Sequence, residues 1–356
     1  MQPTTLLTAP RSRNEAATWH QEPVEPDRAL LATHSHGKPR GAKLLEVSHL
    51  RKSYGSMVAV DDLSFHVNAG EIFGLVGPNG AGKSTTMMIL AGIRRADGGQ
   101  VAIDGHPAGQ GHRAIQSMLG VVPQDLAIYA DLTARENLNF FGQIYRVRGA
   151  ELKSRVDRIL AQIGLEAQAD QYVRTFSGGM KRRLNFGLAL IHEPQLVILD
   201  EPTVGVDPQS RSHLLDCIRQ LAARGVGVIY ASHYMEEVEA ICQRVAIIDH
   251  GKLLAVGRLE ELIDKSHAEL HLRVAAPEHD LTYRLRDLAD VVATDGVESE
   301  VVVRRERKAG PRAVAGRLPR VVDLLTAAGI EILSIDTRRQ NLERLFLGLT
   351  GRKLRD

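Results

Sequence analysis

Residues 77–85 read Gly77-Pro78-Asn79-Gly80-Ala81-Gly82-Lys83-Ser84-Thr85. Gly77, Gly82, Lys83 and Ser84 fall on the fixed positions of G-x-x-x-x-G-K-[ST]. The apolar run EIFGLVG (71–77) precedes the motif as a short strand. Met87, Met88, Ile89 and Leu90 follow it in helical spacing, ended near Gly92. Strand, turn and helix in that order are the context this motif needs. Glycines let the backbone curl so that successive N–H groups face phosphate oxygens. The helix behind them adds its positive N-terminal end. Lys83 brings a compact positive charge to β- and γ-phosphates, and Ser84 offers a hydroxyl to Mg²⁺. A chance Gly-rich turn would not need both flanks.

Outward from this loop, LVILDE (196–201) is an apolar strand ending in two acids. Ligands of an α/β sheet gather at such strand ends. Asp200 is placed to hold Mg²⁺ through water, and Glu201 to orient and deprotonate an attacking water. Further apolar runs, VGVIYAS (226–232) and RVAIID (244–249), alternate with helix-like stretches, which argues for buried and mostly parallel strands. LLEVSHL (44–50) and VAVDDLSFHV (58–67) read as additional strands. From about Asp131 to Arg174 the pattern is helical, an insertion into the sheet domain that extends over about residues 128–190. Beyond Ser266 the strands AELHLRVAA, ESEVVVRRE and IEILSIDT mix with the helices LTYRLRDLAD and LPRVVDLLTAAG, a small α+β unit. The expected division is a disordered tail over 1–42, a nucleotide-binding domain over 43–265 and an accessory domain over 266–356.

Composition narrows the function classes. The net charge is +2, so no global field recruits nucleic acid or anionic lipid. Cys217 and Cys242 are the only cysteines and sit in apolar stretches, which fits reduced core thiols and no disulfide scaffold. No stretch approaches the ~20 uninterrupted apolar residues of a membrane span. The start lacks the apolar segment of a secretory leader. His34 and His36 are too sparse to argue a metal site. The arginine-rich run between Arg304 and Arg320 reads as a solvated loop before a lipid contact.

Between the phosphate loop and the later strands lies FSGGMKRRLNFGLALI (176–191). Together with GPNGAGKST and LVILDEP it resembles the nucleotide-binding subunit of ATP-binding cassette (ABC) transporters. Other landmarks of that family stand in order: Tyr54 in RKSYG, Gln124 in VVPQD, Asp207 in VGVDP and His233 in YASHYMEE. The resemblance covers about residues 44–265. PQDLAIYADLTARENLNFFGQIY, SGGMKRRL and the late NLERLFLGLTGRK are similar to exporter ATPases of the daunorubicin-resistance and nodulation-factor types. Met180 replaces the glutamine of the commonest signature, a mark of that branch.

The resemblance implies an α/β fold: a P-loop NTPase cassette with a RecA-like core, an antiparallel β part and a helical insertion. It implies an ATPase with ATP and Mg²⁺ as ligands. Tyr54 would stack on adenine, Glu201 activate water, and His233 hold the γ-phosphate. Gln124 would sense Mg²⁺ and touch the transport subunit, with Asp207 in the D-loop. Two copies would pair head to tail, each offering Ser177, Gly178 and Gly179 to the other's nucleotide. The expected partners are a second copy and a separate transmembrane permease, with no nucleic acid. The expected place is cytoplasmic, peripheral at the inner face of the cell membrane. The rival is a soluble ABC ATPase of translation or DNA repair, which fits poorly because the chain holds one cassette and no sustained heptads.

Overall fold

The computed structural model describes residues 39–108, 113–263, 269–275, 285, 289–293, 299–303, 313–338 and 341–350. The N-terminal stretch through residue 38, with His34 and His36, lies outside the described residues. So does Arg304–Arg312 of the arginine-rich run.

Two long strands, β1 (Lys43–Tyr54) and β2 (Met57–Asn68), are joined through Gly55 and Ser56. They pair antiparallel, and β1 also pairs antiparallel with β4 (Gly98–Ile103), which carries β5 (His106–Pro107) at the edge. Burial alternates along β2 as period two demands, because one face of this sheet is packed.

The second sheet holds β3 (Ile72–Val76), β6 (Leu119–Val122), β7 (Leu196–Asp200), β8 (Gly227–Ser232), β9 (Arg244–Asp249) and β10 (Lys252–Arg258), in the order β10-β9-β3-β8-β7-β6. Four of its five pairings are parallel, and the fifth, β9 with β10 at one edge, is antiparallel. Every residue of β3, β7 and β8 is buried, which explains their unbroken apolar runs. Val76 pairs with Ser232, and Asp200 with Ala231. The three strands therefore end level, and residues 77–85, 201 and 233 leave the same edge.

Helix α1 (Lys83–Leu90) fills the space between the two sheets with Met87, Ile89 and Leu90. There Phe65 of β2 stacks on Phe73 of β3 with ring centroids 5.2 Å apart. After the short α2 (Arg113–Gln116) comes the helical insertion: α3 (Ala134–Ile144), α4 (Gly149–Gln162) and α5 (Gly178–Leu188). Thr133 and Glu136 form a capping box at the start of α3, satisfying two backbone donors. Helices α6 (Pro208–Ala223) and α7 (Met235–Ile241) cover the same face of the central sheet. After α8 (Leu259–Leu262) the C-terminal sheet follows, with order β12-β13-β11-β14 over β11 (Glu269–Val274), β12 (Asp290–Ala293), β13 (Ser299–Val303) and β14 (Ile332–Arg338). Leu272, Val274, Val301, Val321 and Leu325 form a separate core beneath α9 (Ala313–Ala327). Asp290, read as the end of a helix, opens β12, and α9 carries Pro319 in its interior.

The last helix, α10 (Leu342–Thr350), returns to the cassette. Leu342 and Phe346 are buried in its main core, and the Leu342 N–H donates to Glu239 of α7 at 2.6 Å.

His192 ties the insertion to the sheet. Its ring stacks on Tyr145 at 3.8 Å, and Nε2 donates to the Leu119 carbonyl of β6 at 2.8 Å. Burial pushes the imidazole down to about 4, assisted by Arg155 and opposed by the Leu119 hydrogen bond. The neutral ring is thus the native form, while the unfolded chain protonates near about pH 6.5. This contribution is complete above about pH 6.5 and is lost as pH falls toward about 4. It amounts to about 2–3 kcal/mol. In denaturant titrations at about pH 7 and about pH 4.5, the His192→Phe variant is expected to show a smaller acid loss than the parent. An equal loss refutes the assignment.

Candidate functional site

The phosphate loop leaves β3 at Gly77 and enters α1 at Lys83. A Cβ on Gly77 would lie 2.3 Å from the Ile248 carbonyl oxygen, and one on Gly82 would lie 2.3 Å from that of Ala59. Gly82 also has φ 101°, closed to side chains. Close packing against β9 and β2 therefore demands glycine at both positions, quite apart from any ligand. Pro78, Asn79 and Gly80 form the outer turn, and the Ala81 N–H donates to the Pro78 carbonyl at 3.1 Å. Thr85 follows Ser84 on the first turn of α1, half-buried.

Lys83 is buried, and its ammonium donates to the carbonyls of Gly77 at 2.7 Å and Pro78 at 3.2 Å. It lies 3.5 Å from Glu201 Oε1. Burial lowers its pKa, and Glu201 opposes the shift. Asp200 ends β7 beside Ser84. Burial raises its pKa, while a hydrogen bond from the Ser84 hydroxyl pulls it down. Asp200 Oδ1 is buried with no hydrogen-bond partner among the described residues. An acceptor left over in that position suits a cation.

Glu201 is buried and sits at φ 50°, in the left-handed region. Such a conformation costs on the order of 1–2 kcal/mol in a non-glycine residue. The Glu201 N–H donates to the Ala231 carbonyl at 3.0 Å, which holds the turn and aims the carboxylate back along the sheet edge. There Oε2 lies 2.6 Å from His233 Nδ1. The structure therefore brings Lys83, Ser84, Asp200, Glu201 and His233 into one cluster.

The other expected residues stand apart from that cluster. Gln124 is exposed on the loop after β6, one strand beyond Asp200. Arg182 of α5 donates to its carbonyl, and Asn185 of α5 accepts from the Ala127 N–H at 3.1 Å. These two side chains couple the Gln124 loop to the signature helix. Tyr54 ends β1, half-exposed, with the Lys52 ammonium 5.5 Å from its ring centroid. Asp97 fixes this strand end, accepting from Lys52 Nζ and the Ser53 N–H, each at 2.7 Å.

Ser177 caps α5, its hydroxyl accepting from the Met180 N–H at 3.2 Å. Asp207 caps α6 in the same way, accepting from Ser210 at 2.9 Å. The two caps meet. A Cβ on Gly179 would lie 2.3 Å from Ser210 Oγ and 2.7 Å from Asp207 Oδ2, while one on Gly178 would lie 3.6 Å from the Gly205 carbonyl. Sequence reasoning missed Arg182, Asn185, Asp97 and this steric demand at Gly179, because none lies near its partner in the chain.

A glycine cradle around a lysine, followed by two acids and a histidine on level strand ends, defines a nucleoside triphosphatase. The pattern of the ABC transporter family matches residues 60–204. The linearmycin resistance ATP-binding protein of Bacillus subtilis is 42% identical over 315 residues, covering 88% of this chain and all of the relative. The Nod factor export ATP-binding protein I of Paraburkholderia xenovorans is 38% identical, over 88% of this chain and 98% of its own length. A solved ATP-binding subunit of an ABC transporter superposes with a TM-score of 0.58 at 31% identity, over 62% of this chain and 92% of that one. The chain belongs to the ABC transporter family, as an ATP-binding subunit of the branch that holds these resistance and export proteins. It is an ATPase, and these relatives favour a transporter subunit over a soluble factor of translation or repair. Among the described residues, no helix is long and apolar enough to cross a membrane.

Proposed function

We propose that the chain is the motor of an exporter, working as a head-to-tail homodimer on a separate membrane permease at the cytoplasmic face. The observation that carries this is the convergence of Lys83, Glu201 and His233 at the level ends of β3, β7 and β8. Residues 77–85 would cradle the triphosphate, and Tyr54 would take the adenine. Glu201 is the base that draws a proton from water, and His233 holds the γ-phosphate. Ser84, Gln124 and, through water, Asp200 fit Mg²⁺, which when bound would neutralise phosphate charge. Positioning and electrostatics supply the rate, with no covalent intermediate.

The partner copy would supply Ser177, Gly178 and Gly179 at the N-terminus of α5, where free N–H groups and the helix dipole meet the γ-phosphate. Asp207, against Gly179, would lie at the same seam. Beside Gln124, the side chains of Leu126, Tyr129, Phe140 and Ile144 are exposed, and Tyr129 packs edge-on to Phe140 at 5.0 Å. An apolar patch there suits a segment of the permease. Residues 43–265 would be the motor and 266–356 an accessory domain, whose sheet and α9 have a core of their own while α10 packs into the core of the motor. The names of the relatives support export as the direction.

Extraction of membranes from cells expressing a tagged chain tests this reading. An integral membrane protein is expected to co-purify and to stimulate ATP turnover. Recovery from the soluble fraction alone, with turnover indifferent to added membranes, would refute it.

A further inference from the structure

One buried carboxylate near the site takes no part in the chemistry described above. Glu237, in the first turn of α7, is 5% exposed. Its Oε2 accepts from the Tyr230 hydroxyl of β8 at 2.5 Å and from the Thr203 hydroxyl at 2.7 Å. Its Oε1 lies 3.3 Å from Arg211 Nε, in the first turn of α6. Tyr230 and Thr203 are themselves fully buried.

These partners come from separate segments that all border the reacting groups. Thr203 lies between Glu201 and Asp207, and the Val206 N–H donates to its carbonyl at 3.2 Å. Arg211 follows the Asp207 cap by four residues, and its guanidinium covers the Tyr234 ring at 5.4 Å. Tyr234 in turn lies 4.1 Å from the His233 ring, and the Glu237 N–H donates to the Tyr234 carbonyl at 3.2 Å. Arg211 is partly exposed, and a carboxylate buried in such an ion pair is weak evidence for stability, since apolar packing of equal volume often serves as well. It does fix geometry, because each donor must meet a particular oxygen.

We propose that Glu237 is a positioning residue that locks the Glu201–Asp207 loop to the His233 segment, so that base, histidine and dimer seam move as one unit. This rests on the roles given above to Glu201 and His233. It predicts a loss in turnover far larger than any in nucleotide affinity, because residues 77–85 cradle the triphosphate and His233 meets only its γ-phosphate.

The test compares full-length Glu237→Ala, Glu237→Gln, and the double variant Thr203→Val with Tyr230→Phe. For each, kcat for MgATP, the Kd of a fluorescent ATP analogue and the melting temperature are measured. Glu237→Ala is expected to lower kcat about tenfold or more, the scale of losing hydrogen bonds to a charged acceptor. Its analogue Kd stays within about twofold, and Glu237→Gln, which keeps an acceptor oxygen, recovers part of the loss. Should Glu237→Ala fail to fold, the double variant removes both hydroxyl donors at nearly constant volume and is expected to show the same split. Parental kcat in a folded variant overturns the inference, as does a parallel fall of kcat and affinity. His233→Ala, run alongside, separates the two readings. Normal turnover there overturns the site roles, whereas a dead His233→Ala beside normal Glu237 variants overturns only the positioning role.

Discussion

Replacing Glu201 by Gln is expected to cut phosphate release by at least about a hundredfold while leaving ATP bound, the scale of losing a positioned general base. The substitution keeps the shape of the side chain and removes its charge. In the parent, the Glu201 carboxylate lies between Lys83 Nζ at 3.5 Å and His233 Nδ1 at 2.6 Å, so the ammonium and the imidazole share one carboxylate. The amide releases Lys83 from that competition, and nucleotide affinity should hold or rise. It also cannot take a proton from water. Single-turnover phosphate release and equilibrium binding of a fluorescent ATP analogue separate the two effects. Undiminished release would remove Glu201 from the role of base, and a matching loss of affinity would make its role one of binding.

The residues of this cluster were legible in the chain because local order sets them. Lys83 and Ser84 follow a glycine turn at fixed spacing, and Asp200 and Glu201 close an apolar strand. The parallel sheet was legible too, since strands buried on both faces leave unbroken apolar runs. What the chain hides is whatever depends on a distant neighbour. Gly77 and Gly82 look like phosphate-loop glycines, yet the Ile248 and Ala59 carbonyls alone forbid a side chain there. Glu201 gives no local hint of its left-handed backbone, whose N–H is held by the Ala231 carbonyl of the neighbouring strand. NLERLFLGL reads as an amphipathic ending, but that its Leu342 and Phe346 dock beside α7 depends on a surface about a hundred residues earlier, where Glu239 waits 2.6 Å from the Leu342 N–H. Glu237 is the strongest case: chain order does not set it apart from Glu236 or Glu239, and only the fold turns it toward Tyr230 and Thr203.

Mixing two inactive variants is expected to restore ATP turnover, because each nucleotide would be completed by the partner copy. Lys83→Ala removes the buried ammonium that would meet the phosphates. Ser177→Arg puts a long cation on the α5 cap, where the partner's γ-phosphate would sit. Ser177 is exposed, so the fold tolerates the change, at a cost of about 1 kcal/mol for the lost hydrogen bond to the Met180 N–H. Each variant alone should fall at least about a hundredfold, since every site in either homodimer lacks one essential element. In an equimolar mixture, random pairing makes about half the dimers mixed. A mixed dimer joins Lys83 of one chain to Ser177 of the other at one site, and both changes fall together at the second. Turnover should therefore recover to roughly a quarter of the parent's if the sites act independently. No recovery, in a mixture shown by differently tagged chains to form mixed dimers, would mean that the sites are not shared head to tail. Full activity of Ser177→Arg alone would mean that the α5 cap lies outside the nucleotide site, and the loop of residues 77–85 would then need its charge partner from elsewhere in the same chain.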